Sequence, residues 1–219
     1  MSLKIKHLGR KVDPQTVKAE RCDAVVATGA SFIIPQIKGA KRADGRLADN
    51  VLTPLNVLDN VPVGERVVVY GANAIGLETA VDLKERGKQV IVVEPTPGPV
   101  QDMYGFISWF CVVMQQLQEH GIEVKGSRII KEIRPEEVVL DAANTAPPPD
   151  QIREGAIVVI DEERVPTDTV ILAVGRQPNK SLADQLVGLV PEVYSIGDCC
   201  QPGLAFRATH DGARIGREI

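Results

Sequence analysis

The chain has 219 residues, 44% of them hydrophobic, and its 25 Lys and Arg against 29 Asp and Glu give a net charge of −4. This composition is that of a globular domain, and its mildly acidic balance argues against non-specific nucleic-acid binding. The longest apolar stretch, residues 106–114, falls far short of the roughly 20 residues that span a bilayer. We therefore expect neither a membrane nor a nucleic-acid partner, and the lack of a signal-peptide core predicts a cytoplasmic protein.

The cysteines are the first candidates for redox or metal chemistry. No Cys-x-x-Cys motif occurs, so a dithiol active site or a four-cysteine metal site has no support. The one adjacent pair would form a strained vicinal disulfide. We expect buried or half-buried free thiols, with no metal site and no catalytic residue, at Cys22, Cys111, Cys199 and Cys200.

Short apolar strands alternate with helices through the first part of the chain, as in a sheet of parallel strands covered on both faces. Glycines punctuate the ends of several of these elements. In chain order, the patterns predict strands over residues 23–29 and 66–70, a helix over 75–86, a strand over 88–94, a helix over 106–120 and a strand over 122–125.

The later part of the chain changes character. Between residues 127 and 170, three short apolar runs separated by turns predict a small antiparallel meander over 128–133, 137–140 and 156–160. Two more strands, over 169–173 and 192–196, and a final helix over 204–219 follow. The predicted class is α/β, with a Rossmann-like, three-layer dinucleotide-binding domain that carries this meander.

A glycine-rich segment directly follows the strand over 66–70 and opens the next helix. In a dinucleotide fold the first glycine makes the sharp turn, a small third residue lets the pyrophosphate approach, and the last glycine allows close helix packing. Here Gly71 and Gly76 fit, whereas Asn73 replaces the middle glycine. Asparagine tolerates a left-handed conformation, but its side chain occupies space near the phosphates. On its own the segment is equally compatible with a plain strand–turn–helix.

Glu94 favours nucleotide binding. It ends the next strand, 18 residues after Gly76, close to the spacing of about 20 for the carboxylate that binds ribose hydroxyls. A carboxylate also repels a 2′-phosphate, so this position favours NAD(H) over NADP(H). The alternative is a solvated glutamate at a strand end.

Together with the turn at residues 27–30 and the closing segment 190–203, these motifs resemble the two-dinucleotide-binding-domain flavoproteins. In that family an NAD(P) domain is inserted into an FAD-type domain. The segments 190–203 and 208–212 are most similar to the C-terminal region of multidomain NADH:flavin oxidoreductases of the old yellow enzyme type. Those enzymes include 2,4-dienoyl-CoA reductases, enoate reductases and trimethylamine dehydrogenase. The resemblance covers essentially the whole chain.

The resemblance implies two sets of cofactor-binding residues. For NADH it implies Gly71, Ala72, Asn73, Ala74, Ile75, Gly76 and Glu94, with Glu78 facing the nicotinamide end and Gly175 near the adenosine side. For FAD it implies Asp198 on the ribityl chain, Gly197 giving it room, and Thr28 and Gly29 near the flavin nucleotide.

The resemblance also implies that the chain is a fragment. We expect a first remnant of an FAD-type domain over 1–61, an NAD(H)-binding domain over 62–176 and a return segment of the FAD-type domain over 177–219. A barrel domain with FMN and an iron–sulfur cluster would belong to the missing part of the parent. FAD would bind in the intact parent and would not be retained by this fragment, which alone would be inactive.

Two functions remain open. The first is an NADH-binding domain of a flavin-dependent oxidoreductase, and the alternative is a non-catalytic module that binds ADP or FAD. The helix that contains residues 106–117 is apolar around more of its circumference than one buried stripe requires. It is either buried on two sides or packs on the missing barrel domain or on a partner in an oligomer.

Overall fold

The computed structural model describes residues 8–98, 107–143 and 162–219. Helices in these residues are α1 (Pro14–Glu20), α2 (Pro54–Leu58), α3 (Ala74–Glu85), α4 (Ile107–Glu119), α5 (Ser181–Leu186) and α6 (Ala205–Glu218). Strands are β1 (Ala24–Val26), β2 (Ala30–Phe32), β3 (Val51–Leu52), β4 (Arg66–Tyr70), β5 (Gln89–Val93), β6 (Glu123–Lys125), β7 (Arg128–Ile133), β8 (Glu137–Ala142), β9 (Glu163–Pro166), β10 (Thr169–Leu172), β11 (Arg176–Pro178) and β12 (Val193–Ser195).

The chain divides into two compact units. The large unit is Phe32–Gly175, and the small unit combines Met1–Ser31 with Arg176–Ile219. The large unit is built on a five-stranded sheet of order β3-β10-β4-β5-β6, in which every described pair is parallel. Strands β4 and β5 flank α3 in sequence and pair in parallel, so the strands and helix predicted over residues 66–94 form a βαβ unit.

Both faces of the parallel sheet are covered, which gives the large unit three layers. On one face, side chains of α2, α3 and α4 join Val67 and Val69 of β4 in one core cluster. On the other face, the meander β7-β8-β9 joins Val68 of β4 in a second cluster. Alternate residues of one strand therefore enter different cores, which explains why β4 has no polar alternation. The predicted α/β class with a Rossmann-like sheet and a small antiparallel meander is confirmed.

The third strand of the meander differs from the prediction. The strand predicted over 156–160 lies outside the described residues. Strand β9, only a few residues further along the chain, pairs antiparallel with β8 and completes the three-stranded sheet. Its charged sequence, Glu163 and Arg164 before a buried Val165, hid it from a search for apolar runs.

The small unit has a smaller core. Strands β1 and β12 form a two-stranded parallel sheet, and Ala24, Val26, Leu186 and Cys199 belong to its buried cluster. Strands β2 and β11 form a separate two-stranded sheet. Helix α6 buries only Ile215 among its 14 residues. Most of the hydrophobic burial in the described chain is therefore in the large unit.

The cysteines partly depart from expectation. All four are free, as predicted. Cys199 is buried, and its thiol donates to the carbonyl oxygens of Val26 and Ile196, each at 3.1 Å. The expected burial was wrong for the other three, which are exposed, because the turns and helix faces that carry them point to solvent: Cys22, Cys111 and Cys200. No helix among the described residues is long and apolar enough to cross a membrane.

Candidate functional site

A glycine loop, residues 71–76, connects the carboxyl end of β4 to α3 in the large unit. Gly71 has φ +116°, and its N–H donates to the carbonyl oxygen of Val93 at 2.8 Å. A Cβ at this position would lie 2.5 Å from the carbonyl oxygen of Ala173. Both the backbone conformation and the close approach to the strand end therefore require glycine.

Gly76 allows α3 to start close to the sheet. A Cβ added to Gly76 would clash with the carbonyl oxygen of Gly71 and would lie 3.3 Å from the Cβ of Ala173. The next residues on this face, Leu77 and Ala80, are fully buried. The predicted role of the last glycine, close packing of helix against sheet, is thus explained by direct contacts.

Asn73 does not adopt the left-handed conformation that asparagine tolerates. It has φ −82° and ψ 176° and is the N-cap of α3. Its Oδ1 accepts a hydrogen bond from the N–H of Gly76 at 3.1 Å, and its Nδ2 donates to the carbonyl oxygen of Ala173. The side chain is therefore held by the helix and the adjacent strand end, and asparagine serves here as a preferred N-cap residue.

The start of α3 keeps two free backbone donors. The N–H groups of Ala74 and Ile75 have no hydrogen-bond acceptor among the described residues. The helix has 12 residues, so its dipole adds a partial positive charge at this end. Free N–H groups and a helix dipole at one point favour an anion, and a phosphate is the usual one after such a loop.

Glu94 follows β5 and reaches the glycine loop. Its Oε2 accepts from the N–H of Ala72 at 2.7 Å. Its Oε1 accepts from both the N–H and the hydroxyl of Thr96, each at 2.9 Å. The carboxylate is half-buried and makes no ion pair with any described residue. The structure thus brings the acidic group to the loop, as the spacing predicts, and adds Thr96, for which the sequence analysis had no signal.

The ion pairs of the large unit that lower carboxyl pKa values lie away from this site. The guanidinium of Arg66, at the start of β4, hydrogen-bonds to Asp168 and lowers the pKa of that carboxyl to about 2. Hydrogen bonds from Lys38 and Arg134 lower the pKa of Glu132 to about 2 in the meander. Arg66 and Asp168 lie at the amino ends of β4 and β10, whereas the glycine loop follows the carboxyl end of β4. This ion pair is therefore at the other end of the strands and has a structural role.

Two further predicted residues of the large unit lie apart from these contacts. Glu78 is exposed on α3, one turn after the N-cap. Gly175 follows β10 with φ +127°, and its carbonyl oxygen accepts from the N–H of Ile33 at 3.0 Å. The loop and Glu94 therefore form the compact part of the predicted set.

In the small unit, the predicted turn at residues 27–30 bonds to Asn179. The hydroxyl of Thr28 donates to the carbonyl oxygen of Asn179 at 2.6 Å, and the N–H of Asn179 donates to the carbonyl oxygen of Gly29 at 3.0 Å. A third bond joins the hydroxyl of Ser31 to the Asn179 side chain at 2.7 Å. Asn179 lies about 150 residues away in sequence, so no local pattern marks it as their partner.

In the small unit, the Asp198 carboxylate forms an ion pair with the guanidinium of Arg176. Its Oδ2 accepts from Arg176, and its Oδ1 accepts from the N–H of Gly203 at 3.0 Å. The preceding Gly197 has φ +64°, and its N–H donates to Asp211 at 3.1 Å. Arg176 and Asp211 were not predicted, because each pairs with a residue from another element.

The sequence matches a known protein family and is similar to two NADH oxidases. Residues 4–212 match the family model described as pyridine nucleotide-disulphide oxidoreductase. An NADH oxidase from Streptococcus pyogenes serotype M6 is 27% identical over 206 residues, which covers 80% of this chain and 41% of the relative. An NADH oxidase from Thermoanaerobacter brockii is 31% identical over 219 residues, which covers 96% of this chain and 30% of the relative.

Solved structures of longer proteins contain the same fold. A 2-naphthoyl-CoA reductase complex has a TM-score of 0.78 and 26% identity, and the match covers 97% of this chain and 29% of that one. Histamine dehydrogenase from Rhizobium sp. 4-9 shares the fold, with a TM-score of 0.73 at 20% identity over 96% of this chain and 32% of that one. The chain spans less than half the length of these four proteins. The predicted likeness to two-dinucleotide-binding-domain flavoproteins is confirmed: the chain belongs to the pyridine nucleotide-disulphide oxidoreductase family.

Proposed function

We propose that the large unit binds NAD(H) and places the nicotinamide for hydride transfer to a flavin in a longer parent oxidoreductase. The observation that carries this proposal is the meeting of the glycine loop with the Glu94 carboxylate at the carboxyl ends of β4 and β5. In open parallel sheets, ligands bind outside the carboxyl ends of the strands. The relatives named NADH oxidase support the choice of nucleotide.

The loop fits a pyrophosphate. A Cβ at Gly71 or Gly76 would clash with a neighbouring carbonyl oxygen, so glycine is required for the close backbone packing at both positions. No described residue accepts from the N–H groups of Ala74 and Ile75, which would donate to phosphate oxygens at the helix end. Asn73 uses the N–H of Gly76 for its cap, so this site offers one backbone donor fewer than a loop with a middle glycine.

Glu94 fits the ribose. A carboxylate with no cation beside it keeps its full negative charge, accepts hydrogen bonds from hydroxyls and repels a phosphate. Since the described residues hold the Glu94 carboxylate by neutral donors alone, the site favours NADH over NADPH. When bound, NADH would supply the hydride, and the protein's part is to hold and orient the nucleotide. Glu78 would lie toward the nicotinamide end.

The flavin side of the proposal rests on the small unit and on the rest of the parent. FAD would be bound with the help of Thr28, Gly29, Gly197 and Asp198, and the family match supports FAD and NAD(P) as the pair of cofactors. FMN, an iron–sulfur cluster and reduction of a further substrate would belong to a barrel domain of the parent. Helix α4 would pack on such a domain or on a partner, because Val112 is 54% exposed and Trp109 and Phe110 are only half-buried.

Titration calorimetry of the purified chain tests the proposal. We expect NADH to bind at least tenfold more tightly than NADPH, and NADH to bind more tightly than ADP because the whole dinucleotide is held. Equal affinities for ADP and NADH would support the alternative of a non-catalytic adenine-nucleotide module. Binding of neither nucleotide would show that the assignment of the glycine loop is wrong.

A further inference from the structure

We infer that Thr96 is a positioning residue that sets nucleotide selectivity by fixing the Glu94 carboxylate. The inference rests on the proposed function and deepens it. Thr96 lies two residues after Glu94, in the turn that leaves β5. It is the only described residue outside the glycine loop whose groups hydrogen-bond to this carboxylate.

The turn that carries Thr96 is itself anchored on both sides. The carbonyl oxygen of Thr96 accepts from the N–H of Ser127 at 2.8 Å, and the N–H of Arg128 donates to the carbonyl oxygen of Glu94 at 3.0 Å. Close packing adds to this, because a Cβ on Gly126 would lie 2.7 Å from the carbonyl oxygen of Pro97. The donors of Thr96 are therefore presented by a fixed backbone.

The hydrogen bonds divide the two carboxylate oxygens between different tasks. Each oxygen has two acceptor sites. Among the described residues, both donors of Thr96 bond to Oε1, whereas Oε2 accepts only from the N–H of Ala72. The free acceptor site is therefore on Oε2, beside the glycine loop. A ribose hydroxyl of a nucleotide on that loop would take this site.

Fixing Glu94 also strengthens the rejection of a 2′-phosphate. A carboxylate that can rotate away reduces its repulsion of the phosphate, since the Coulomb energy falls with distance. Rotation of Glu94 would break its bonds to both Thr96 and Ala72. The Thr96 hydroxyl has a second acceptor, the carbonyl oxygen of Gly98 at 2.9 Å, so its single proton is shared and its effect is moderate.

The test compares Thr96→Val, which removes the hydroxyl, with Thr96→Ser, which keeps it. Dissociation constants for NADH and NADPH are measured on the full 219-residue chain by calorimetry. For Thr96→Val we expect the ratio of the NADPH to the NADH constant to fall roughly fivefold. For Thr96→Ser, and for Thr209→Val, whose hydroxyl bonds within α6, we expect the ratio to stay within about twofold of the unsubstituted chain.

The outcomes separate the two claims. If Thr96→Val leaves the ratio of the NADPH to the NADH constant unchanged, whether or not both nucleotides bind more weakly, Thr96 has only a structural role and the inference is wrong. NADH binding by the unsubstituted chain would in that case still support the proposed function. If the unsubstituted chain binds no nucleotide, the proposed function fails first. Thermal unfolding of each variant checks that loss of binding does not reflect loss of the fold.

Discussion

Each unit carries a glycine with positive φ after a parallel strand and an acidic side chain near it, yet the two acids are held differently. Glu94 in the large unit is held by neutral donors of Ala72 and Thr96. Asp198 in the small unit is paired with the guanidinium of Arg176. Because no described residue forms an ion pair with Glu94, we expect this carboxylate to discriminate among ligands by their charge, whereas Asp198 is already paired with Arg176.

The helices that follow the two turns differ in the same way. Helix α3 buries five residues, and Gly76 in its first turn leaves no room for a Cβ. Helix α6 buries only Ile215. A rigid loop holds free N–H groups in one orientation, which anion binding requires. The difference supports the proposal that the large unit binds the nucleotide. Substitutions at four of its positions, taken from the largest expected effect to the smallest, separate the residues of the proposed site from a structural ion pair.

Gly76→Ala should have the largest effect. The added methyl would clash with the Gly71 carbonyl, so we expect loss of about 3 kcal/mol in the free energy of unfolding and NADH binding too weak to measure. The matched control is Gly212→Ala on α6, where a Cβ would meet nothing within 4 Å. Alanine there should raise stability by about 0.5–1 kcal/mol through helix propensity. Denaturant unfolding measures the stability of each variant, and calorimetry measures its affinity for NADH. Equal effects of Gly76→Ala and Gly212→Ala would contradict the difference between α3 and α6.

Glu94→Gln should follow in size. The neutral amide loses the charge-assisted bond to a ribose hydroxyl, so we expect NADH to bind about tenfold more weakly. NADPH should change less, because loss of repulsion offsets loss of the bond. The control is Glu119→Gln, an exposed glutamate on α4 whose side chain, among the described residues, bonds only to Gln115. Unchanged NADH affinity in Glu94→Gln would mean that this carboxylate does not contact the ribose.

Asn73 gives a smaller and more specific effect. Asn73→Ala removes the N-cap of α3, and we expect it to lower the free energy of unfolding by about 1 kcal/mol. Asn73→Gly should cost only a few tenths of a kcal/mol, and it frees the N–H of Gly76 for a phosphate. We therefore expect Asn73→Gly to bind NADH roughly threefold more tightly than the unsubstituted chain. Weaker binding would show that the asparagine side chain itself holds the nucleotide.

Asp168→Asn should have the smallest effect, because both partners of its ion pair are partly exposed and solvent screens them. The pKa of Asp168 is lowered to about 2 in the folded chain, against an ordinary 3.8. Its stabilising contribution is present above about pH 4 and is lost as the pH falls toward 2. The unfolding curves of the variant and the unsubstituted chain should therefore converge in this interval. An exposed carboxylate without a side-chain partner in the described chain, Asp59, serves as the control when changed to Asn. A difference that does not shrink between pH 4 and pH 2 would contradict the assignment.

Sequence patterns identified the parts of the fold that depend on local signals. The apolar runs and the glycine loop predicted the parallel sheet. The spacing between Gly76 and Glu94 predicted a carboxylate beside the loop, where Glu94 accepts a hydrogen bond from Ala72. The edge strand β3 was missed because it has only two residues. The N-cap role of Asn73 was not predicted, although asparagine is a preferred N-cap residue, because Asn73 was considered only as the replacement for the middle glycine of the motif.

Other parts of the site could not be read from the sequence because their partners are distant. Arg176 meets Asp198 across 22 residues, and Asn179 meets Thr28 across 151. Thr96 is close to Glu94 in sequence, but its role depends on a turn anchored by Ser127. Contacts of this kind follow from the packed fold rather than from any periodicity.

Amide hydrogen exchange with and without NADH tests the central claim most directly. We expect NADH to slow exchange at residues 71–76 and 94–96 of the large unit, where free and carboxylate-bound N–H groups surround the proposed site. Residues 193–203 of the small unit should exchange at the same rate in both samples. Slower exchange only in the small unit, or in neither unit at saturating NADH, would contradict the account.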